Sequence, residues 1–178
     1  DQVPSIINLD DYRYKTPYGD VLKGWRKQLK YKKFKFCGVQ HAHYSIGVAI
    51  VDLSWAGHGF FYVYDHQSEK VVEWNAVQPF GLKTQLDEQP LFSHSYFKKS
   101  GYQSEMQHAN GVRYIQVTKN GDVLLKANIT CEGTDPLSMC SPTGINGWTY
   151  TQKQTALSVE GFFMDPNQQR IEFNTESL

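Results

Sequence analysis

The chain has 178 residues, and its 18 basic and 18 acidic side chains give a formal net charge of zero. This balance argues against a surface-wide attraction for nucleic acid or anionic membranes. No run reaches the roughly 18 apolar residues that a membrane span needs. With 11 Tyr, 10 Phe and 4 Trp, the composition favours strands and aromatic-lined pockets. We therefore expect an all-β protein with no nucleic-acid partner and no membrane span.

The first segment, residues 1–19, is polar and rich in turn residues, which predicts an extended arm before a single domain over 20–178. A helical spacing of apolar residues follows, with Asp20 placed to cap its start, so the sequence predicts a short helix there. The apolar residues on its shared face are Val21, Leu22, Trp25 and Leu29.

A two-residue period replaces the helical one over 31–40. Phe34 and Phe36 share one face of this predicted strand, and Lys33 and Lys35 share the other. The basic residues of this region could contact an anionic head group or single-stranded nucleic acid. We interpret them instead as the lysines that guard a solvated edge strand.

Residues 44–53 are apolar on both faces, which is typical of a central strand covered from two sides. Asn110-Gly111 and Asn120-Gly121 separate strand-like runs and predict two-residue hairpin turns. About ten antiparallel strands should curl, because twist accumulates across a sheet. We predict a meander barrel or half-barrel, with a β-sandwich as the alternative. The predicted strands are 31–40, 44–53, 59–65, 70–77, 102–109, 112–118, 123–131, 147–154, 158–164 and 170–173, with long loops at 78–90 and 132–146.

The three cysteines form no CxxC pair, and their odd number predicts neither a disulfide framework nor a zinc site. We expect free thiols in a reducing cytoplasm, with no metal and no cofactor. The chain begins with Asp1 rather than Met, which we interpret as a trimmed N-terminus.

Two segments carry a family resemblance: GVAIVDLSWAGHGFFYVYD, clearest over Val48 to Asp65, and GWTYTQKQTALSVEG, over 147–161. Together they resemble the bacterial family called domain of unknown function 2804, over roughly Trp25 to Phe173. That family looks related to a lipocalin-like group with hydroxyneurosporene synthase, a carotenoid hydratase, and the AttH-type proteins. Members of the group have two barrel-like halves. The resemblance implies that this chain is an N-terminal half and that a C-terminal half is its partner.

Two same-face rows of ring-bearing and polar residues lie in the strands that carry the resemblance. If both rows face inward, they line a chamber that suits a small apolar ligand, lipid-like or isoprenoid-like. A packed aromatic core is the alternative. The predicted ligand-binding residues are Phe60, Tyr62 and Tyr64 in one row, and Trp148, Tyr150 and Gln152 in the other.

Candidate catalytic residues are carboxylates that could protonate an alkene, as the hydratase resemblance implies. Asp52 and Glu105 are these candidates, although Asp52 could instead cap the turn that follows it. His41 and His43 would share a strand face, but two imidazoles do not complete a metal site. The sequence leaves three functions open: a ligand-binding module, an enzyme of lipid or isoprenoid chemistry, and a structural half without its own ligand.

Overall fold

A computed structural model describes residues 3–4, 6–7, 13–143 and 147–173. Part of the predicted arm, at 1–2, 5 and 8–12, lies outside the described residues. The described chain is nearly all β, which confirms the predicted class. Its elements are α1 (Gly24–Gln28), β1 (Lys33–Gln40), β2 (Tyr44–Asp52), β3 (Ala56–Asp65), β4 (Lys70–Pro79), β5 (Thr84–Gln85), β6 (Ser93–Lys99), β7 (Tyr102–Ala109), β8 (Val112–Lys119), β9 (Asp122–Thr130), β10 (Leu137–Thr143), β11 (Gly147–Lys153), β12 (Ser158–Met164) and β13 (Arg170–Phe173).

The strands form two large antiparallel sheets and one separate hairpin. One sheet is a four-stranded meander in the order β1-β2-β3-β4, and the other has seven strands in the order β13-β12-β9-β8-β7-β6-β5. The hairpin pairs β10 with β11. Antiparallel meanders were predicted, but within the described residues the strands do not join into one closed barrel. The two sheets face each other across a shared core instead.

That core takes large side chains from both sheets. Phe61 of the four-stranded sheet and Phe97 and Phe163 of the seven-stranded sheet are all completely buried. Burying each of these rings contributes roughly 2–3 kcal/mol. Because β2 lies between β1 and β3, it is the central strand that its apolar faces predicted. The space between the sheets is therefore filled by packed side chains.

Both Asn-Gly pairs form the predicted hairpin turns. Asn110 and Gly111 have φ values of 52° and 73°, and Asn120 and Gly121 have values of 53° and 95°. Positive φ at both central residues is what a type I′ turn requires. The turns fix the pairing of β7 with β8 and of β8 with β9.

The helix is shorter than predicted and is not capped by Asp20. It begins at Gly24, and Lys23 at its N-cap makes no side-chain capping hydrogen bond. Asp20 belongs to a preceding turn, where its carbonyl accepts from the Thr16 amide at 2.8 Å. The helix is held to the sheet by Ser54, whose hydroxyl lies 2.8 Å from the Gln28 carbonyl.

Three strands occur where the sequence predicted none. Thr84–Gln85 (β5) and Leu137–Thr143 (β10) lie inside the two segments predicted as loops, and Ser93–Lys99 (β6) follows the first of these loops. β10 is half-buried or exposed at every position, so it shows no alternation of apolar and polar residues. Among the described strands β10 pairs with β11 alone, and a proline is tolerated on such an edge strand, as Pro142 is here.

A buried carboxylate organises the turn between β12 and β13 and contacts the other sheet. Asp165 is 2% exposed, and its side chain accepts from the amides of Asn167 at 2.8 Å and Gln169 at 2.7 Å. The Tyr44 hydroxyl of β2 approaches the same carboxylate at 3.4 Å. This group therefore links the last hairpin to the four-stranded sheet.

We expect Asp165→Ala to destabilise the fold by about 1–3 kcal/mol, because it removes the buried carboxylate that accepts from the Asn167 and Gln169 amides and orders this turn. Urea unfolding followed by tryptophan fluorescence measures the change. Glu160→Ala, at an exposed position on the same hairpin, is the matched control. A loss for Asp165→Ala no larger than that of the control would contradict this role.

Candidate functional site

The predicted row on β3 lies on the outside of the four-stranded sheet. Phe61 points into the core, so its neighbours Phe60 and Tyr62 point away from it. Cross-strand partners share a face, which places the side chains of β1, β2 and β4 beside this row. We call this surface the outer aromatic face. Its residues are Phe34, Phe36, Val51, His58, Phe60, Tyr62, Tyr64, Val71 and Val77.

Much of the outer aromatic face is open to solvent. Phe34 is 69% exposed and Phe36 is 49% exposed. Tyr62 lies flat across β2, where a Cβ at its cross-strand partner Gly47 would collide with the ring. Ala49, between Phe36 and Phe60 in the register, is completely buried by its neighbours. Among the described residues, the face is thus an aromatic layer whose outer side chains remain open to solvent.

One end of the outer aromatic face is polar. The Ser45 hydroxyl donates to Gln40 Oε1 at 2.8 Å and lies 2.8 Å from His66 Nε2. The Tyr64 ring contacts the His66 ring at a centroid distance of 5.4 Å. This end offers hydrogen-bonding groups next to the aromatic layer.

The second predicted row lies on the separate hairpin. Trp148, Tyr150 and Gln152 share a half-buried face of β11, and the Tyr150 hydroxyl donates to Gln152 Oε1 at 3.1 Å. The same hydroxyl is 3.3 Å from Ser138 on β10. Because Tyr62 faces away from the core, the row on β3 does not line the space between the large sheets.

Asp52 is the last residue of β2, and its side chain caps the turn that follows. Turn capping is the alternative to a catalytic role that the sequence left open. Asp52 Oδ1 accepts from the Ser54 amide at 2.7 Å, and its Oδ2 lies 3.9 Å from the Lys33 ammonium. Ser54 has a φ of 69°, a left-handed conformation that this hydrogen bond stabilises. Both carboxylate oxygens are therefore engaged at the end of the sheet.

Glu105 lies on the outer face of the seven-stranded sheet, away from Asp52. Its Oε1 accepts from His94 Nε2 and Gln107 Nε2, both at 2.7 Å. Burial opposes its ionisation, but these bonds and the charges of His94 and Lys98 outweigh burial and hold its pKa below the ordinary value. Glu105 is therefore ionised at neutral pH and is not poised to donate a proton.

The histidine pair is in a turn rather than on a strand. His41 and Tyr44 exchange backbone hydrogen bonds across the tight β1–β2 turn, and the His41 and His43 ring centroids are 6.1 Å apart. Burial and the neighbouring histidines lower the pKa of His41. Within the described residues, no group of three or more His, Cys, Asp or Glu side chains is arranged to hold a metal ion.

A polar cluster that the sequence did not predict lies on the opposite side of β1, between the two sheets. Lys35 and Cys37 share the inner face of β1 with Val39, which is buried in the core. Facing them are His108 and Arg113, which are cross-strand partners on β7 and β8. We call Lys35, His108 and Arg113 the inner cationic cluster.

Burial and like charges control ionisation in this cluster. Burial lowers the pKa of Lys35 to about 8, and although Asp87 favours the charged form, Arg113 and Lys33 oppose it. Burial, followed by the charges of Arg113 and Lys35, lowers the pKa of His108, while a hydrogen bond to the Pro90 carbonyl opposes this. Burial raises the pKa of the Cys37 thiol to about 11. The alternation of Lys and Phe in the sequence signalled two faces, but not which one turns inward.

The described surface also includes a depression that lies apart from the predicted site residues. The depression has a volume of about 330 Å³, includes Lys83, Lys99 and Tyr102 in its lining, and contains none of the predicted site residues. In the part of the chain that the structure describes, no helix has the length and apolarity to cross a bilayer.

Comparison with known proteins identifies the family. The model of a family described as Domain of unknown function (DUF2804) matches residues 12–178. The chain belongs to this family. No curated protein and no solved structure matches it. The outer aromatic face and the inner cationic cluster are therefore the features of this DUF2804 chain that bear on its function.

Lys35→Met should change how stability depends on pH. In the folded wild type the amine loses its proton near pH 8, whereas an unfolded lysine keeps it to about pH 10.5. The unfolded state binds more protons between these values, so wild-type stability should rise relative to the variant by about 1–2 kcal/mol after allowance for partial exposure.

Urea unfolding at intervals from about pH 7 to about pH 10.5 measures this difference. Lys126→Met, at an exposed position on the outer side of β9, is the matched control, and its difference from wild type should stay constant. A constant difference for Lys35→Met as well would show that Lys35 is not desolvated.

Proposed function

We propose that this chain is an assembly domain that docks a second β-domain on its outer aromatic face. The observation that carries the proposal is a four-stranded sheet with an aromatic layer on the side away from the core. Phe34 and Phe36 are 69% and 49% exposed there, and Val71 and Val77 are 55% and 50% exposed. Contiguous apolar patches of this kind are rare on monomers and mark interaction sites.

The other sheet provides the contrast. Its outward side chains on β6, β7 and β8 include Glu105, Gln107 and Gln116, which form hydrogen bonds along the surface. A sheet that faces water on one side has such a polar face. The four-stranded sheet instead has apolar side chains on both faces, which is the pattern of a sheet covered from both sides.

A second β-sheet is the occupant whose geometry fits. Side chains of the outer aromatic face repeat at strand spacing, and two sheets pack face to face by interdigitating such rows. The resemblance to a lipocalin-like group with two barrel-like halves supports the same occupant. In that arrangement the missing partner is the C-terminal half of the same protein.

A small apolar ligand is the second candidate, and one observation favours it. The hydrogen-bonded Gln40, Ser45 and His66 lie at one end of the aromatic layer. They could anchor the polar end of a lipid-like or isoprenoid-like molecule whose apolar part lies on Tyr62 and Tyr64. Because the interior between the sheets is packed, such a ligand would lie between the outer aromatic face and the docked domain.

The arrangement gives a hydratase less support. An acid that protonates an alkene must lie beside the ligand with its proton in place. Asp52 is bound to the Ser54 amide, and Glu105 lies on the other sheet with a lowered pKa. Glu73 on the outer aromatic face accepts a hydrogen bond from Asn75 at 2.5 Å.

We further propose a bacterial cytoplasm as the location of this protein. The resemblance is to a bacterial family. Among the described residues, Cys37, Cys131 and Cys140 are free thiols. Free thiols are typical of a reducing compartment.

Hydroxyl-radical footprinting tests the assembly proposal. The protein isolated at its natural length is compared with the 178-residue chain. We expect Phe36 and Tyr62 to be oxidised several-fold more slowly in the natural-length protein, because a docked domain excludes water from them. Mass spectrometry of tryptic peptides measures the oxidation rates.

Tyr96, on the polar outer face of the seven-stranded sheet, is the matched control and should react at the same rate in both proteins. Equal oxidation of Phe36 and Tyr62 in the two proteins would refute the docked domain. Protection in the 178-residue chain alone that depends on its concentration would assign the face to a second copy instead.

A further inference from the structure

One end of the fold carries exposed apolar side chains on two neighbouring turns. Trp55 in the β2–β3 turn is 55% exposed, and Phe80 and Leu82 in the β4–β5 turn are 78% and 60% exposed. The Phe80 amide donates to the Trp55 carbonyl at 2.7 Å, so the two turns lie side by side beyond the ends of their strands. We call Trp55, Phe80 and Leu82 the apolar tip.

The backbone of the β4–β5 turn holds its part of the apolar tip in one conformation. Phe80 has a φ of 58°, a left-handed conformation that is rare for a bulky residue. The Leu82 amide donates to the Pro79 carbonyl at 3.4 Å, and the Thr84 amide donates to the Gly81 carbonyl at 3.0 Å. Strained residues of this kind are concentrated at sites that contact a ligand or a partner.

The depression of about 330 Å³ borders the same turn, and its charged groups are basic. Lys83 directly follows Leu82, and Lys98 and Lys99 are the last residues of β6. The Lys98 amide donates to the Lys83 carbonyl at 3.0 Å, and the Lys99 ammonium donates to the Val77 carbonyl. Among the described residues, the lining of the depression includes all three lysines and no Asp or Glu.

Neutral hydrogen-bond donors complete the lining of the depression. Lys98, Gln103 and Thr118 are successive cross-strand partners on β6, β7 and β8, so their side chains share the outer face of the seven-stranded sheet. The Asn120 amide donates to the Gly101 carbonyl at 2.7 Å, which brings the β6–β7 and β8–β9 turns together beside them. Ammonium, amide and hydroxyl donors around one open depression suit a phosphate group, whose oxygens accept several charge-assisted hydrogen bonds.

The positive charge at this end is not neutralised locally. Within the described part of the chain, none of Lys83, Lys98 and Lys99 forms an ion pair with a carboxylate. Glu105, on the same outer face of the seven-stranded sheet, accepts from His94 at 2.7 Å instead. Because the whole chain has a net charge of zero, the excess is local and attracts an anionic surface from one direction.

We propose that this end of the fold docks on the surface of an anionic lipid bilayer. The depression receives a head-group phosphate, and the apolar tip enters the boundary between head groups and acyl chains. Tryptophan is favoured at that depth because its ring is apolar and its N–H is polar. Lysines beside inserted apolar side chains add attraction for an anionic leaflet. A partner protein would instead need a broad complementary surface, which a few side chains on turns do not offer.

Co-sedimentation of the 178-residue chain with lipid vesicles tests the docking. We expect the chain to bind vesicles of phosphatidylcholine and phosphatidylglycerol in equal parts about tenfold or more tightly than vesicles of phosphatidylcholine alone. Raising the salt concentration from about 0.1 M to about 1 M should weaken this binding, because the Debye length falls from about 10 Å to about 3 Å.

The apolar tip is tested by substitution and by fluorescence. Phe80→Ser combined with Leu82→Ser should weaken vesicle binding by about tenfold or more. Phe92→Ser is the matched control, because Phe92 is 58% exposed and precedes the opposite end of β6. In the wild type, lipids brominated on their acyl chains should quench Trp55, the part of the fluorescence that Trp55→Phe removes.

The lysines of the depression are tested in the same assay. Lys83→Gln and Lys98→Gln should each weaken binding to the anionic vesicles by about fivefold. Lys126→Gln, at an exposed position on β9, is the matched control and should bind as the wild type does. Thermal unfolding checks that each variant is folded, and the quenching of wild-type Trp55 tests the orientation without relying on these variants.

Four outcomes would overturn the proposal. The first three are no binding to either vesicle, equal binding to both compositions, and unchanged binding in the variant that carries Phe80→Ser and Leu82→Ser. The fourth is NMR shifts of the Gly101 and Gln103 amides with soluble glycerol phosphate but no vesicle binding, which would assign the depression to a free phosphate compound. None of these results bears on the docked β-domain, because the apolar tip lies in turns beyond the outer aromatic face.

Discussion

The register of β1 against β2 determines which surfaces this protein presents. Lys35 pairs with Ile50, and Phe36 pairs with Ala49. Since cross-strand partners share a face and Ile50 is completely buried, Lys35 must face the core and Phe36 must face outward. A shift of one residue would exchange the two faces along the whole strand.

This orientation is the opposite of what hydrophobicity alone favours. Burying Phe34 and Phe36 and exposing the lysines would place more apolar area in the core, at roughly 25 cal/mol per Å². The fold keeps the lysines inside, so its stability must come from elsewhere in the core, including Phe61, Phe97 and Phe163. Local conflicts of this kind, set within an otherwise consistent structure, are expected at functional sites.

The sequence predicted the features that depend on local chemistry. Asn-Gly at 110–111 and 120–121 specified both turns because positive φ is required there, and the apolar run at 44–53 identified the central strand. Long-range features were beyond local patterns. The pairing of β9 with β12 across the β10–β11 hairpin leaves no periodic signal, and the exposed β10 has no alternation to detect.

The candidate site shows the same division between local and long-range information. Alternation correctly grouped Phe60 with Tyr62 and Tyr64, and Phe34 with Phe36, because the period of a strand is two. It did not show that these rows face away from the core, since that depends on which sheet packs on which. Arg113 carried no local signal either, because its electrostatic effect on Lys35 depends on how the two sheets pack.

The outer aromatic face and the inner cationic cluster share a single strand but use alternate residues of it. Phe34 and Phe36 belong to the docking surface, whereas Lys35 and Cys37 belong to the space between the sheets. A side chain on one face of a strand does not contact a molecule on the other face, so the two sets of residues are chemically independent. They are coupled only through the backbone of β1, whose position depends on its hydrogen bonds to β2. A partner that covers the outer aromatic face would hold this edge strand against β2. It would thereby also keep Lys35 on the inner face, so the orientation of both sets of side chains depends on the same backbone hydrogen bonds.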